Sequence, residues 1–119
     1  LFCSPALRTK QTSSYFLSIM NLKTINVIYD YNLYEGCSDN FLLRVSNLKK
    51  YKDILVVTHE PQILFFKDFF LSKTDFWPNI KDLEIVTSSV FSINFGINMW
   101  NEINESNVQS YKFLNPKHL

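Results

Sequence analysis

The chain has 119 residues, 46% of them hydrophobic, which is typical of one globular domain spanning residues 1–119. Its net charge of +1 gives no broad electrostatic basis for binding nucleic acid or an anionic membrane. The longest apolar stretches are a few residues long, whereas a bilayer span needs about 20. The first residues do not read as a signal peptide, and Cys3 and Cys37 are too few for a disulfide framework. The sequence therefore predicts a cytoplasmic protein with reduced thiols.

The start of the chain predicts a strand followed by a helix. Residues 1–3 are apolar, and Ser4 and Pro5 suit the beginning of a helix over residues 5–22. An approximate pattern of three- and four-residue spacings, typical of an amphipathic helix face, is formed by Leu7, Thr12, Tyr15, Phe16, Ile19 and Met20.

The rest of the chain alternates short apolar runs with helical patterns. Residues 54–57 form a continuous apolar run, typical of a strand covered on both faces. In chain order we predict a strand at 25–29, a loop at 31–38, a helix at 39–50, a strand at 54–57, a helix at 61–72, an irregular segment at 75–83, a strand at 89–95, a polar connection at 96–107 and a strand at 108–114. This order indicates an α/β fold with a mostly parallel sheet and helices on both faces, a three-layer α/β/α sandwich.

Two cations lie in the first turns of the first predicted helix. Arg8 and Lys10 are near the positive pole of the helix dipole, which costs about 0.3–1 kcal/mol per exposed charge. A bound anion would favour this placement, because backbone N–H groups and a guanidinium would converge on one phosphate. Alternatively, Arg8 points into solvent or pairs with a carboxylate.

A histidine follows the predicted buried strand. His59 lies near a strand end and a helix N-terminus, where partial burial would favour its neutral form. It could exchange a hydrogen bond or a proton with a bound oxyanion. Alternatively, it is a strand-end histidine bonded to a nearby carbonyl group.

Together the two segments resemble the histidine phosphatase (phosphoglycerate mutase-like) superfamily. The pattern is Ser-Pro-x-x-Arg-x-x-Gln-Thr after a strand, followed about 50 residues later by an apolar strand and x-His-x-Pro. The compact spacing and two later segments are similar to its SixA-type branch, the phosphohistidine phosphatases. Those segments are Thr87-Ser88-Ser89-Val90 and Phe113-Leu114-Asn115-Pro116.

The resemblance implies transfer of a phosphoryl group to an active-site histidine, followed by hydrolysis without a metal or cofactor. Arg8 matches the family's second arginine and His59 its second histidine, so both are expected to be catalytic and to bind the phosphate, with Ser4 as a further substrate-binding residue. The implied substrate is a phosphohistidine-bearing protein or a small phosphate ester.

The sequence departs from the family in its first strand. The Arg-His-Gly motif, which supplies the nucleophilic histidine, does not occur in the 119 residues, and Thr58 stands where a glycine is common. We therefore expect a fragment of the family fold whose strands at 54–58 and 89–95 each lack a partner. Such a chain should be poorly stable or prone to aggregation, and cooperative unfolding of a soluble monomer would contradict this. Glu35 and Asp39 match the family's proton donor poorly and read as surface carboxylates.

Other phosphate-binding classes fit less well. A cysteine phosphatase loop from Cys3 to Arg8 would be one residue too short and would contain Pro5, which has no N–H. With only Gly36 and Gly96, no glycine-rich phosphate loop can form. A zinc site from Cys3, Cys37, His59 and His118 lacks paired ligand spacing. The alternative from another class is a non-catalytic remnant that binds phosphate or a phosphoprotein without turnover.

Overall fold

The computed structural model describes residues 1–21, 27–36 and 38–116 and has a mixed α/β fold. The chain divides into two units, Leu1–Ile63 and Leu64–Leu119, with the boundary inside a helix. The strands are β1 (Phe2–Cys3), β2 (Ile28–Tyr29), β3 (Val56–Val57), β4 (Val90–Phe95) and β5 (Val108–Leu114). The helices are α1 (Leu7–Ile19), α2 (Ser38–Ser46), α3 (Gln62–Leu71) and α4 (Trp77–Ile80).

The first unit contains a three-stranded parallel sheet in the order β2-β1-β3. Cys3 of β1 is paired with Tyr29 of β2 and with Val57 of β3. The hydrogen bonds continue one residue further, because Ser4 N donates to Val57 O at 2.9 Å and Asp30 N donates to Cys3 O at 2.9 Å. The carboxyl ends of all three strands therefore lie at the same edge of the sheet.

α1 packs through small polar residues. Its buried residues are Thr9, Ser13 and Leu17. The Ser13 hydroxyl donates to Cys3 Sγ at 2.9 Å, and the Thr9 hydroxyl donates to Ser4 O at 2.7 Å. Satisfied hydroxyl groups on short side chains allow the helix to lie close to β1, where larger side chains would not fit.

The apolar face predicted for this helix was therefore wrong. Large residues of that pattern are exposed, Leu7 by 71%, Tyr15 by 72% and Ile19 by 81%. The helix also begins at Leu7, with Ala6 as N-cap and no side-chain capping bond, so Ser4 is not its cap. It ends near Asn21, whose φ of 54° is the left-handed conformation that asparagine tolerates at such ends.

α2 is shorter than predicted. It ends at Ser46, four residues before the predicted end, and its buried residues are Phe41 and Val45. The ring of Phe41 packs edge-on against Phe2 of β1, with centroids 5.2 Å apart. The predicted strand at 25–29 is confirmed at Ile28–Tyr29. It was wrong at Val27, which lies outside the strand, and residues 25 and 26 lie outside the described residues.

The second unit contains a separate antiparallel pair of strands. β4 and β5 pair with each other, with Ile93 opposite Tyr111. In β4 the exposure alternates as the sequence predicts, with Phe91, Ile93 and Phe95 on the less exposed face. The expected mostly parallel sheet is thus found for β1, β2 and β3, whereas β4 and β5 form their own two-stranded sheet.

Two segments expected to be irregular contain short helices. α4 occupies part of the predicted irregular segment, with Pro78 in its first turn, where the missing N–H costs nothing. Two 3-10 turns, Trp100–Glu102 and Glu105–Asn107, lie within the polar connection. None of the helices in the described part of the chain is long and apolar enough to span a membrane.

The packing of α1 predicts that alanine substitutions at two nearby apolar residues change the free energy of unfolding by very different amounts. Leu17 is 5% exposed, so Leu17→Ala should lower the free energy of unfolding by about 2–5 kcal/mol. Ile19→Ala, its matched control on the exposed side, should change it by less than about 0.5 kcal/mol. Urea unfolding followed by circular dichroism measures both variants, and equal losses would contradict this orientation of α1.

Candidate functional site

The three turns that follow the parallel strands form the candidate site. Ser4 follows β1, Asp30 follows β2, and Thr58 and His59 follow β3. In open α/β sheets, ligands bind at the carboxyl ends of the strands. The register of β1 against β3 brings together Ser4 and His59, two of the three site residues predicted from the sequence.

The contacts of the His59 ring determine its neutral tautomer. Nδ1 lies 2.9 Å from Glu60 O, and a carbonyl oxygen only accepts, so Nδ1 carries a hydrogen. In the neutral ring Nε2 is then the acceptor, and the Ser4 hydroxyl, 3.4 Å away, donates to it. Because 3.4 Å is long for a hydrogen bond, the Nε2 contact is the weaker one and the easier to exchange.

Ser4 is enclosed by its neighbours. Its residue exposure is 0%, and its oxygen also accepts from Ala6 N at 3.4 Å. A short relay therefore runs from the Ala6 N–H through the Ser4 hydroxyl to His59 Nε2. In this arrangement Ser4 supports the imidazole from inside the protein.

Arg8, the third predicted residue, lies in the first turn of α1. It is exposed, and within residues 1–21, 27–36 and 38–116 its guanidinium forms no hydrogen bond or ion pair. The first turn of α1 contains no acidic residue. The guanidinium is thus available to an anion. It lies on the helix that begins at Leu7, shortly after Ser4.

The segment Tyr31–Gly36 was predicted only as a loop, but it contributes to the site. Thr58 Oγ1 donates to Leu33 O at 2.7 Å, and Gln62 Nε2 donates to Tyr34 O at 2.9 Å. These bonds attach the segment on both sides of His59, and the Tyr34 ring lies 5.7 Å from the His59 ring, centroid to centroid, at 88°. No local sequence pattern indicates this contact, because it depends on which loop the sheet order places beside β3.

Gln62 forms this attachment from inside the protein. It is the first residue of α3 and is 5% exposed. Its Oε1 is a buried acceptor that lacks a hydrogen-bond partner within the described residues, a situation that costs about 1–3 kcal/mol. The amide contributes to this site through its donor bond to Tyr34.

An ion pair between a buried carboxylate and a half-exposed arginine fixes the beginning of the same segment. Asp30 is 4% exposed, accepts from Asn32 N at 2.9 Å and pairs with Arg44 Nη1 at 3.0 Å. The carboxylate therefore both caps the turn Tyr31–Leu33 and ties it to α2. Asp30 is occupied by these contacts and serves the structure of the loop.

The other carboxylates named from the sequence are exposed, and the described thiol is buried and occupied. Glu35 is exposed and accepts from Tyr31 Oη at 3.1 Å, which raises the pKa of Tyr31 above its usual value because a phenolate would lie beside the carboxylate. Asp39 is exposed in the first turn of α2. Cys3 is 0% exposed and its sulfur is engaged by Ser13, an unfavourable state for a nucleophile.

Cys37 and His118 lie outside the described residues. Among the residues described, no group of three or more histidine, cysteine, aspartate or glutamate side chains is arranged to hold a metal ion. The second unit contains a cavity of about 380 Å³, in which Lys73 and Glu105 pair at 3.0 Å and so offset each other's charge. It is lined by Phe69, Ser72, Lys73, Ile103, Asn104 and Glu105.

Comparison of this chain with protein-family models, with curated proteins and with solved structures finds no match.

Because the segment Tyr31–Gly36 is attached beside His59, we expect alanine substitutions at Gly36 and Gly96 to affect the His59 ring differently. A Cβ at Gly36 would lie 2.6 Å from the Asn32 Cα, so Gly36→Ala should displace the loop and cost about 1–3 kcal/mol. The three atoms nearest to a Cβ at Gly96 all belong to the Gln109 side chain, which can move, so Gly96→Ala is the matched control. NMR of the His59 ring should show shifted signals in Gly36→Ala alone, and unchanged signals there would contradict the contact with Tyr34.

Proposed function

We propose that this chain carries part of the phosphate pocket of a SixA-type phosphohistidine phosphatase. The single observation that supports this most is the contact between Ser4 and His59, 55 positions apart in the sequence, at the carboxyl edge of the sheet. The two segments that resemble the histidine phosphatase superfamily thus meet at one place. Arg8, in the first turn of the helix that follows Ser4, supplies a guanidinium that has no partner among the residues the structure describes.

The proposed roles follow from the chemistry of these groups. Arg8 offers a planar fork of donors that suits two phosphate oxygens and would offset charge that develops during transfer. His59 keeps Nδ1 on the Glu60 carbonyl, so Nε2 is the ring atom proposed to face the phosphate. Ser4 accepts or donates as the ring requires, because a hydroxyl group does both.

The finer features of the family are part of the same proposal. The complete domain would be a three-layer α/β/α sandwich, in which a further strand lies beside β3. The substrate would be a phosphohistidine-bearing protein or a small phosphate ester, handled in the cytoplasm without a metal or cofactor. The nucleophile would be a histidine in an Arg-His-Gly segment, which takes the phosphoryl group and then releases it to water as inorganic phosphate.

A non-catalytic phosphate- or phosphoprotein-binding protein is the second candidate. It is favoured by one observation, that neither histidine of these 119 residues lies in an Arg-His-Gly motif. The DNA upstream of the codon for Leu1 separates the two candidates. An Arg-His-Gly strand encoded there supports the phosphatase, and its absence from the gene supports binding without turnover.

Binding of inorganic phosphate tests the pocket directly. Loss of one charge-assisted contact costs about 1.5–3 kcal/mol, so Arg8→Ala and His59→Ala should each weaken phosphate binding about 10- to 100-fold. Lys52→Ala removes one exposed positive charge elsewhere in the first unit and should leave the affinity unchanged. Titration followed by ³¹P NMR measures all three variants, and equal affinities in Arg8→Ala, His59→Ala and the unaltered chain would refute the site.

Turnover is tested on the protein encoded by the whole gene. Its activity towards a phosphohistidine protein and towards p-nitrophenyl phosphate should be largely lost in Arg8→Ala and in His59→Ala. Full activity in both variants would refute these catalytic assignments. Phosphate binding without any turnover would support the second candidate.

A further inference from the structure

Tyr34 adjoins the proposed phosphate site from a neighbouring loop. Its ring stands at 88° to the imidazole of His59, with the centroids 5.7 Å apart. This is a favourable arrangement for two aromatic rings. Tyr34 is thus an aromatic side chain in contact with the imidazole that is proposed to bind the phosphate.

Backbone contacts hold Tyr34 in place without help from its ring. Tyr34 N donates to Tyr31 O at 2.9 Å, and Tyr34 O accepts from the buried Gln62 side chain at 2.9 Å. The adjacent Leu33 O is held by the Thr58 hydroxyl. A change of the Tyr34 ring should therefore leave the path of the loop intact, so the effect of the ring itself can be measured.

The aromatic surface continues from the site towards solvent. Tyr34 is 38% exposed, and the ring of Tyr31, 59% exposed, packs against it with centroids 6.0 Å apart. The nearby Glu35 carboxylate accepts a hydrogen bond from Tyr31.

From this arrangement, and resting on the proposed phosphate site, we propose that Tyr34 is a specificity-determining residue. It selects compounds in which the phosphoryl group is attached to a planar ring, through oxygen or through nitrogen. A ring one bond removed from the bound phosphoryl group can pack against the Tyr34 ring, whereas an alkyl group gains no aromatic contact. Aromatic pairs add about 0.5–1.5 kcal/mol beyond the area they bury, which corresponds to a preference of about two- to tenfold.

The test compares the affinities of the 119-residue chain for methyl phosphate, phenyl phosphate and N-phosphoimidazole. The chain should bind both ring compounds about two- to tenfold more tightly than methyl phosphate. Tyr34→Ala should abolish that preference, and Tyr34→Phe should keep it because the ring remains. Tyr15→Ala removes a tyrosine that is 72% exposed on α1 and is the matched control. Phenyl phosphate carries the phosphoryl group on oxygen and N-phosphoimidazole carries it on nitrogen. The compound whose affinity falls more in Tyr34→Ala shows which of these two linkages the site favours.

The outcomes separate failure of this inference from failure of the phosphate site. If Arg8→Ala and His59→Ala weaken binding of all three compounds but Tyr34→Ala leaves the ring preference unchanged, the role of Tyr34 is refuted and the phosphate site stands. Loss of the preference in Tyr34→Phe, or in Tyr15→Ala, also refutes it. If none of the compounds binds, or if binding is independent of Arg8 and His59, the phosphate site fails and this inference fails with it.

Discussion

The candidate site depends on the backbone pairing of β1 with β3. Ser4 N donates to Val57 O one residue beyond the last paired residues, and this bond aligns the ends of the two strands. The alignment sets Ser4 Oγ beside His59 Nε2. A shift of the register by one residue would turn every side chain of the shifted strand to the opposite face of the sheet and separate the hydroxyl from the imidazole. The pairing of two short strands therefore determines whether the two segments can act together.

Hydroxyl and amide groups bonded to carbonyl oxygens hold the surroundings of the site. Thr9 bonds Ser4 O, Thr58 bonds Leu33 O, and Gln62 bonds Tyr34 O. Such bonds are directional, so they fix the backbone at particular points, whereas apolar packing is tolerant of small displacements. The imidazole consequently lies among the turns that follow the strands, and the Arg8 guanidinium forms no hydrogen bond or ion pair within the described residues.

Part of this structure could be predicted from the sequence. The sequence predicted the bounds of α3, β4 and β5 nearly to the residue, because their patterns are local. In β4 the burial also follows the alternation of the sequence. For α1 the same reasoning predicted the helix but the wrong face, since Thr9 and Ser13 are not apolar and do not enter a hydrophobic pattern. A buried hydroxyl group is favourable only where a hydrogen-bond partner is present. In this fold the partners are at β1 and the residue that follows it.

For the site, the sequence by itself determined which residue types follow each strand: a serine, an arginine and a histidine near strand–helix turns. Only the tertiary structure decided that β1 lies between β2 and β3, and hence that Tyr34 reaches His59 from the loop after β2. The reason is that strand order depends on long-range hydrogen bonds between segments, which leave no local trace in composition or spacing. The motif residues could thus be found one by one, while their neighbours, Tyr34 and Gln62 among them, were determined by the order of the strands.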